Sequence, residues 1–218
     1  MIRNLKILGS ALALLLGLAG LAASPALAVL EFHAEEEGVE VRAWEAEAGF
    51  KFGTRQVVCP HQHLTGEIPK KMTTNHPFEA SYYECSGLGN AEVRMNECKY
   101  RAQAGKLDGE GNMEGELEIE CPGTKVIEIE EVASGTLKCK TTIPAQKALT
   151  KITYFNANVG KGKERYVIYT IQLSNIKYTF DEGTGLGKCT AGTFNNGVYE
   201  TLVNMKAYGS EMVGFWVA

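Results

Sequence analysis

The sequence predicts an all-β chain: a disulfide-stapled antiparallel β-sandwich of about a dozen short strands behind an N-terminal signal peptide. Three observations carry that expectation. Apolar and polar residues alternate with the two-residue period of a half-buried strand, and no apolar stripe of helical period and length interrupts them. Gly, Asn, Asp and Pro fill the gaps between the alternating runs, where tight turns need them. Six cysteines, an even number, follow the leader, and in an oxidising compartment they default to disulfides.

The leader, MIRNLKILGSALALLLGLAGLAASPALA, sets Arg3 and Lys6 ahead of an apolar run from Leu12 to Ala23 and ends in small residues at Ala26 and Ala28. That layout is a secretory signal peptide. Cleavage after Ala28 leaves 190 of the 218 residues, 29–218, as a single sandwich domain, with 160–163 as the dividing point if it forms two lobes. Arg3 and Lys6 depart with the leader, so 20 of the 22 basic residues face 26 acidic ones, a formal charge of −6. Without a Lys/Arg cluster, such a chain is a poor partner for nucleic acid or anionic lipid. No later stretch approaches the roughly 20 apolar residues that cross a bilayer, so no membrane insertion is expected after cleavage.

The expected strands are Leu30 to Glu35, Val39 to Trp44, Phe50 to Cys59, Phe78 to Cys85, Ala91 to Gln103, Gly115 to Cys121, Val126 to Val132, Leu137 to Ile143, Ile152 to Asn156, Tyr166 to Phe180, Ala191 to Ala207 and Val213 to Val217. Two of these change parity midway. Val167, Tyr169, Ile171 and Leu173 share one face, whereas Ile176, Tyr178 and Phe180 continue on the other, so a bulge or tight turn is expected at Ser174 and Asn175. The same slip falls at Asn96 and Glu97, which bends or splits that strand.

Cys59, Cys85, Cys98, Cys121, Cys139 and Cys189 allow fifteen connectivities. The sequential one is favoured: Cys59 with Cys85, Cys98 with Cys121, and Cys139 with Cys189.

CPHQH, residues 59–63, invites three readings. His61 and His63 point the same way on an extended segment, and His76, expected in the loop TTNHPF, adds a third imidazole to make a nitrogen set that suits zinc or copper. A Cys/His nucleophile needs a reduced thiol, which an even set of exported cysteines does not spare. Half of a disulfide beside two exposed histidines is the leading reading, with the metal set second.

The acidic run GELEIECPGTKVIEIEE would oppose Glu118 to Glu128 and Glu116 to Glu130 in a simple hairpin, a like-charge penalty. The chain therefore crosses to another sheet, or a cation sits between the carboxylates. DGEGNMEG, 108–115, begins like a calcium loop but has Met113 and Ile119 where that pattern requires Gly and Glu, so it reads as a hairpin turn. GTGLGKC, 183–189, precedes a strand rather than a helix and is another turn. Eleven of the nineteen aromatic residues follow Lys151 and sit mainly on the inward parity. Tyr154 and Phe155 are adjacent, so one of them faces outward as a stacking surface for sugar or peptide.

MNECKY, IECPGTKVIEI, CKTTIPAQ, ITYFN, SNIKYTF and GTFNNGVYE, in that order, resemble a group of small exported actinobacterial proteins with paired-cysteine β-sandwiches and no established activity. The likeness runs from Gly53 to Ala207. It implies the fold and the disulfides and transfers no catalytic residue; the CPHQH histidines lie outside its motifs.

The expectation is a secreted or cell-surface binding or structural module, not an enzyme, with no cofactor and with a cell-envelope polymer or protein as partner. A zinc- or copper-binding protein using His61, His63 and His76 is the alternative, and a secreted hydrolase the third reading.

Overall fold

The computed structural model describes residues 29–181, 183–185 and 188–218; the expected leader, 1–28, lies outside the described residues. The strands, in chain order, are β1 (Phe32–Ala34), β2 (Val39–Phe52), β3 (Arg55–Ile68), β4 (Met72–Thr73), β5 (Asn75–Tyr83), β6 (Asn90–Arg94), β7 (Lys99–Gln103), β8 (Lys106–Leu107), β9 (Met113–Glu120), β10 (Ile127–Ala133), β11 (Thr136–Ile143), β12 (Gln146–Ala157), β13 (Tyr166–Asp181), β14 (Gly192–Tyr208), β15 (Met212–Val213) and β16 (Phe215–Val217). The chain is all-β, as its alternation requires.

The layers are not those of a sandwich. Strands β14, β2, β3, β5, β7, β9, β12 and β13 pair in that order, and β13 pairs back onto β14 from Val167↔Met205 to Phe180↔Gly192, closing an eight-stranded antiparallel barrel. Closure removes the free edges that an open sheet would present. A barrel of this size is just wide enough for side chains to fill. Here the filling is aromatic, with Phe50, Phe78, Tyr100, Tyr169 and Tyr199 all fully buried.

Two additions complete the molecule. The far end of β13 continues through β11 and β10 to β6, and the short sheet β16–β1–β4 carries Phe32 and Phe215 into the core. Asn156 fastens β16 by accepting from the Val217 N–H and donating to its carbonyl. The 160–163 segment belongs to the connection between β12 and β13, paired up to Ala157↔Tyr166.

The sequential disulfides are present: Cys59–Cys85, Cys98–Cys121 and Cys139–Cys189. Such bonds form in oxidising, extracytoplasmic surroundings. The parity slip in β13 is a bulge between Leu173 and Ile176, with Asn175 at φ 58°. The other slip splits its strand completely: Asn96 and Glu97 both have positive φ, β6 goes to β10, and β7 joins the barrel between β5 and β9.

The expected strand Phe50 to Cys59 is instead the β2–β3 hairpin. Phe52 pairs with Arg55 across Gly53 and Thr54, and Gly53 supplies the φ of +62° that a two-residue hairpin turn with glycine first demands. His76 also moves out of its expected loop, because β5 begins at Asn75.

The acidic run does not fold as a hairpin. β9 lies between β7 and β12, β10 between β6 and β11, and basic strands answer both. Glu120 takes a paired contact from Arg101, at 2.7 and 2.8 Å, and Lys140 reaches Glu128 at 2.7 Å. Hydrogen bonding from Lys140 lowers the Glu128 pKa. DGEGNMEG closes the β8–β9 hairpin, with Asp108 accepting from the backbone of Glu110 and Asn112.

The barrel wall faces outward with residues such as Glu47, Lys51, Gln56 and Glu200, all exposed, and inward with apolar ones. Among the described residues no helix is long and apolar enough to cross a membrane.

Candidate functional site

The CPHQH segment turns on a bulge. Ala48 pairs with Cys59 and Ala46 with Gln62, so Pro60 and His61 together oppose Glu47. Proline has no N–H to give a ladder, and a bulge is where a strand tolerates it. The extra residue reverses the parity, sending Gln62 into the barrel and both neighbouring histidines to its outer wall.

Inside, Gln62 meets a buried polar cluster. Its amide nitrogen donates to the Tyr199 hydroxyl, its oxygen lies 2.9 Å from Thr201 Oγ1, and Tyr82 links Tyr100 at 3.0 Å to Tyr199 at 3.2 Å. Burial pushes the Tyr100 pKa up to about 12 and also raises those of Tyr82 and Tyr199 well above the usual phenol range, so these phenols remain donors. The cluster satisfies polar groups that are costly to bury alone.

His76 is also inside, fully buried, with Nε2 2.8 Å from the Tyr169 hydroxyl. The Phe32 ring meets it edge-on at 4.8 Å. Burial lowers its pKa to about 4, against an opposing contribution from the Pro77 backbone. The imidazole is therefore neutral near pH 7.

The three histidines do not converge. His61 and His63 lie on the outer wall and His76 within it, because β3 and β5 each present alternate residues to opposite faces. Among the described residues no group of three or more His, Cys, Asp and Glu is placed to hold a metal ion.

What the outer wall brings together is a ladder of rings across three adjacent strands. Trp44 of β2, 55% exposed, stands edge-on to His63 of β3 with centroids 4.6 Å apart, and His63 meets Tyr83 of β5, 49% exposed, at 5.1 Å. His61 pairs across the sheet with Tyr83, and its Nε2 lies 3.5 Å from a Glu84 carboxylate oxygen. Scattered exposed apolar residues are ordinary, whereas these rings touch one another on one face.

Trp44 and Tyr83 were legible without being singled out. Val39, Val41 and Ala43 fix an inward parity that leaves Trp44 outside, and Tyr82 and Tyr83 are adjacent, the same argument that applies to Tyr154 and Phe155. In that second pair Tyr154 is buried and donates to the Gln103 carbonyl, while Phe155 is 63% exposed.

Comparison with protein-family models, curated proteins and solved structures found no match for this chain.

Proposed function

We propose that the protein is an exported, non-enzymatic module that binds a polymer of the cell envelope through the outer wall of β2, β3 and β5. The observation that carries this reading is the contact ladder Trp44–His63–Tyr83, three rings held in register by a closed sheet, with Trp44 and Tyr83 exposed and His63 half-buried between them. Aromatic side chains present a large contact area at low entropic cost, and a barrel wall keeps them in place before a ligand arrives. Three disulfides and the leader-like N-terminus support export. The main buried polar clusters, around Gln62 and His76, serve the core and leave the wall to act by contact. The resemblance to small exported actinobacterial proteins supports this reading through the cysteine pairing and the all-β class, while the barrel departs from their sandwich.

The test is retention on isolated envelopes of the producing cell. Wild-type protein should co-sediment, and Trp44→Ala with Tyr83→Ala should reduce retention at least tenfold while leaving the thermal midpoint nearly unchanged. Equal retention of the two forms would refute the assignment of this surface.

A further inference from the structure

The ring ladder does not end at β5. Successive outward positions along β2 run from Trp44, beside His63, to Glu47, opposite the Pro60–His61 bulge, and then to Gly49. Gly49 stands in a straight cross-strand row: Val58 of β3, Gly49, Glu200 of β14 and Gln172 of β13. Because Gly49 brings no side chain to this row, the wall dips there into a groove of about 430 Å³ whose sides include Glu47, Gln56, Thr170, Gln172, Glu200 and Leu202.

We infer that this groove and the ring ladder form one binding face for an extended, uncharged polysaccharide, its sugar rings stacked on Trp44 and Tyr83 and its hydroxyls hydrogen-bonded around Gly49. The inference rests on the binding reading above and names its ligand class. Carboxylates accept from hydroxyls, while primary amides both donate and accept, so a polyol matches the polar groups of the lining, and its C–H faces can lie against Leu202. The groove lining includes two carboxylates and no Lys, Arg or His, which opposes a polyanion. An extended peptide adds to a sheet through a free strand edge, and a closed barrel wall offers none. From Trp44 to Gly49 the strand advances about 16 Å, room for several sugar units rather than one.

The experiment uses isothermal titration calorimetry with cellohexaose and chitohexaose as uncharged probes, and heparin as the polyanion. Gly49→Leu fills the groove; its backbone is not in the left-handed region, and an added Cβ meets nothing closer than the Glu200 carbonyl at 4.0 Å. Gln56→Ala with Gln172→Ala removes the amides without filling anything. At least one hexasaccharide should bind the wild type, and bind at least tenfold more weakly to Trp44→Ala and to Gly49→Leu, and several-fold more weakly to the double glutamine variant. Its disaccharide should bind far more weakly than the hexamer. Indifference to both groove variants, binding of heparin alone, or no response to either hexasaccharide at millimolar concentration would overturn the ligand assignment. Envelope retention that still depends on Trp44 and Tyr83 would, in those cases, leave the binding surface itself standing.

Discussion

The Tyr169 hydroxyl lies 2.8 Å from Nε2 of His76 inside the barrel, where neither side chain reaches solvent. Arg101, on β7, further disfavours a protonated imidazole, and Tyr154 of β12, which meets the Tyr169 ring, is a phenol kept neutral by burial. An unfolded chain protonates this histidine below pH 6.5, whereas the folded chain keeps it neutral until about pH 4. The unfolded state therefore binds more protons within that window, and stability falls as pH falls through it. The gap corresponds to about 3 kcal/mol, present in full above pH 6.5 and gone near pH 4. Denaturant melts between pH 7.5 and 4.5 should show this slope in the wild type and lose it in His76→Met; equal slopes would remove His76 as the cause.

The Gln62 amide bridges Tyr199 and Thr201 across the barrel interior. Gln62→Ala should cost about 2 to 3 kcal/mol, because it leaves buried polar groups unpartnered and opens a cavity beside them. His63→Ala, one residue on and facing outward, should stay within about 0.5 kcal/mol. Urea melts of the two variants separate the faces of the strand directly.

Alternation and cysteine order made the all-β class and the disulfides legible, because alternation is written in neighbouring residues and each cysteine pairs with the next one along the chain. Barrel closure was not. It depends on β14 pairing with β2, Tyr208 opposite Glu40, a register between segments far apart in sequence that no local pattern encodes. His76 reads as a loop residue because Pro77 follows it; the strand survives because Gly66 lets the Pro77 backbone come close, where a Cβ would lie 2.5 Å from its carbonyl oxygen. The ring ladder was half legible: parity places Trp44 and Tyr83 outside, but only the β2–β3–β5 register brings them to the same side of His63.

Loss of each disulfide should track the chain it closes. In the chain-entropy model, removing Cys139–Cys189, which spans 50 residues, costs about 4 kcal/mol, against about 3.5 kcal/mol for Cys59–Cys85 at 26. Paired Cys→Ser variants compared by denaturant melts give the order. Peptide mapping without reductant should recover the three sequential pairs and no free thiol.

Two glycines on adjacent strands should respond oppositely to the same methyl group. Gly66 faces β5 so closely that an added Cβ would stand 2.5 Å from the Pro77 carbonyl oxygen and 2.9 Å from the Phe78 Cβ. Backbone cannot yield as a flexible side-chain tip does, so Gly66→Ala should push β3 from β5 and cost about 1 to 3 kcal/mol or more. Gly49 meets only the Glu200 carbonyl, at 4.0 Å, and a glycine inside a strand carries an entropic penalty that alanine relieves, so Gly49→Ala should stabilise by about 0.5 kcal/mol. Thermal melts of both variants decide the matter. Destabilisation by Gly49→Ala would mean that the open row at the centre of the groove is needed by the fold itself, not kept free for a ligand.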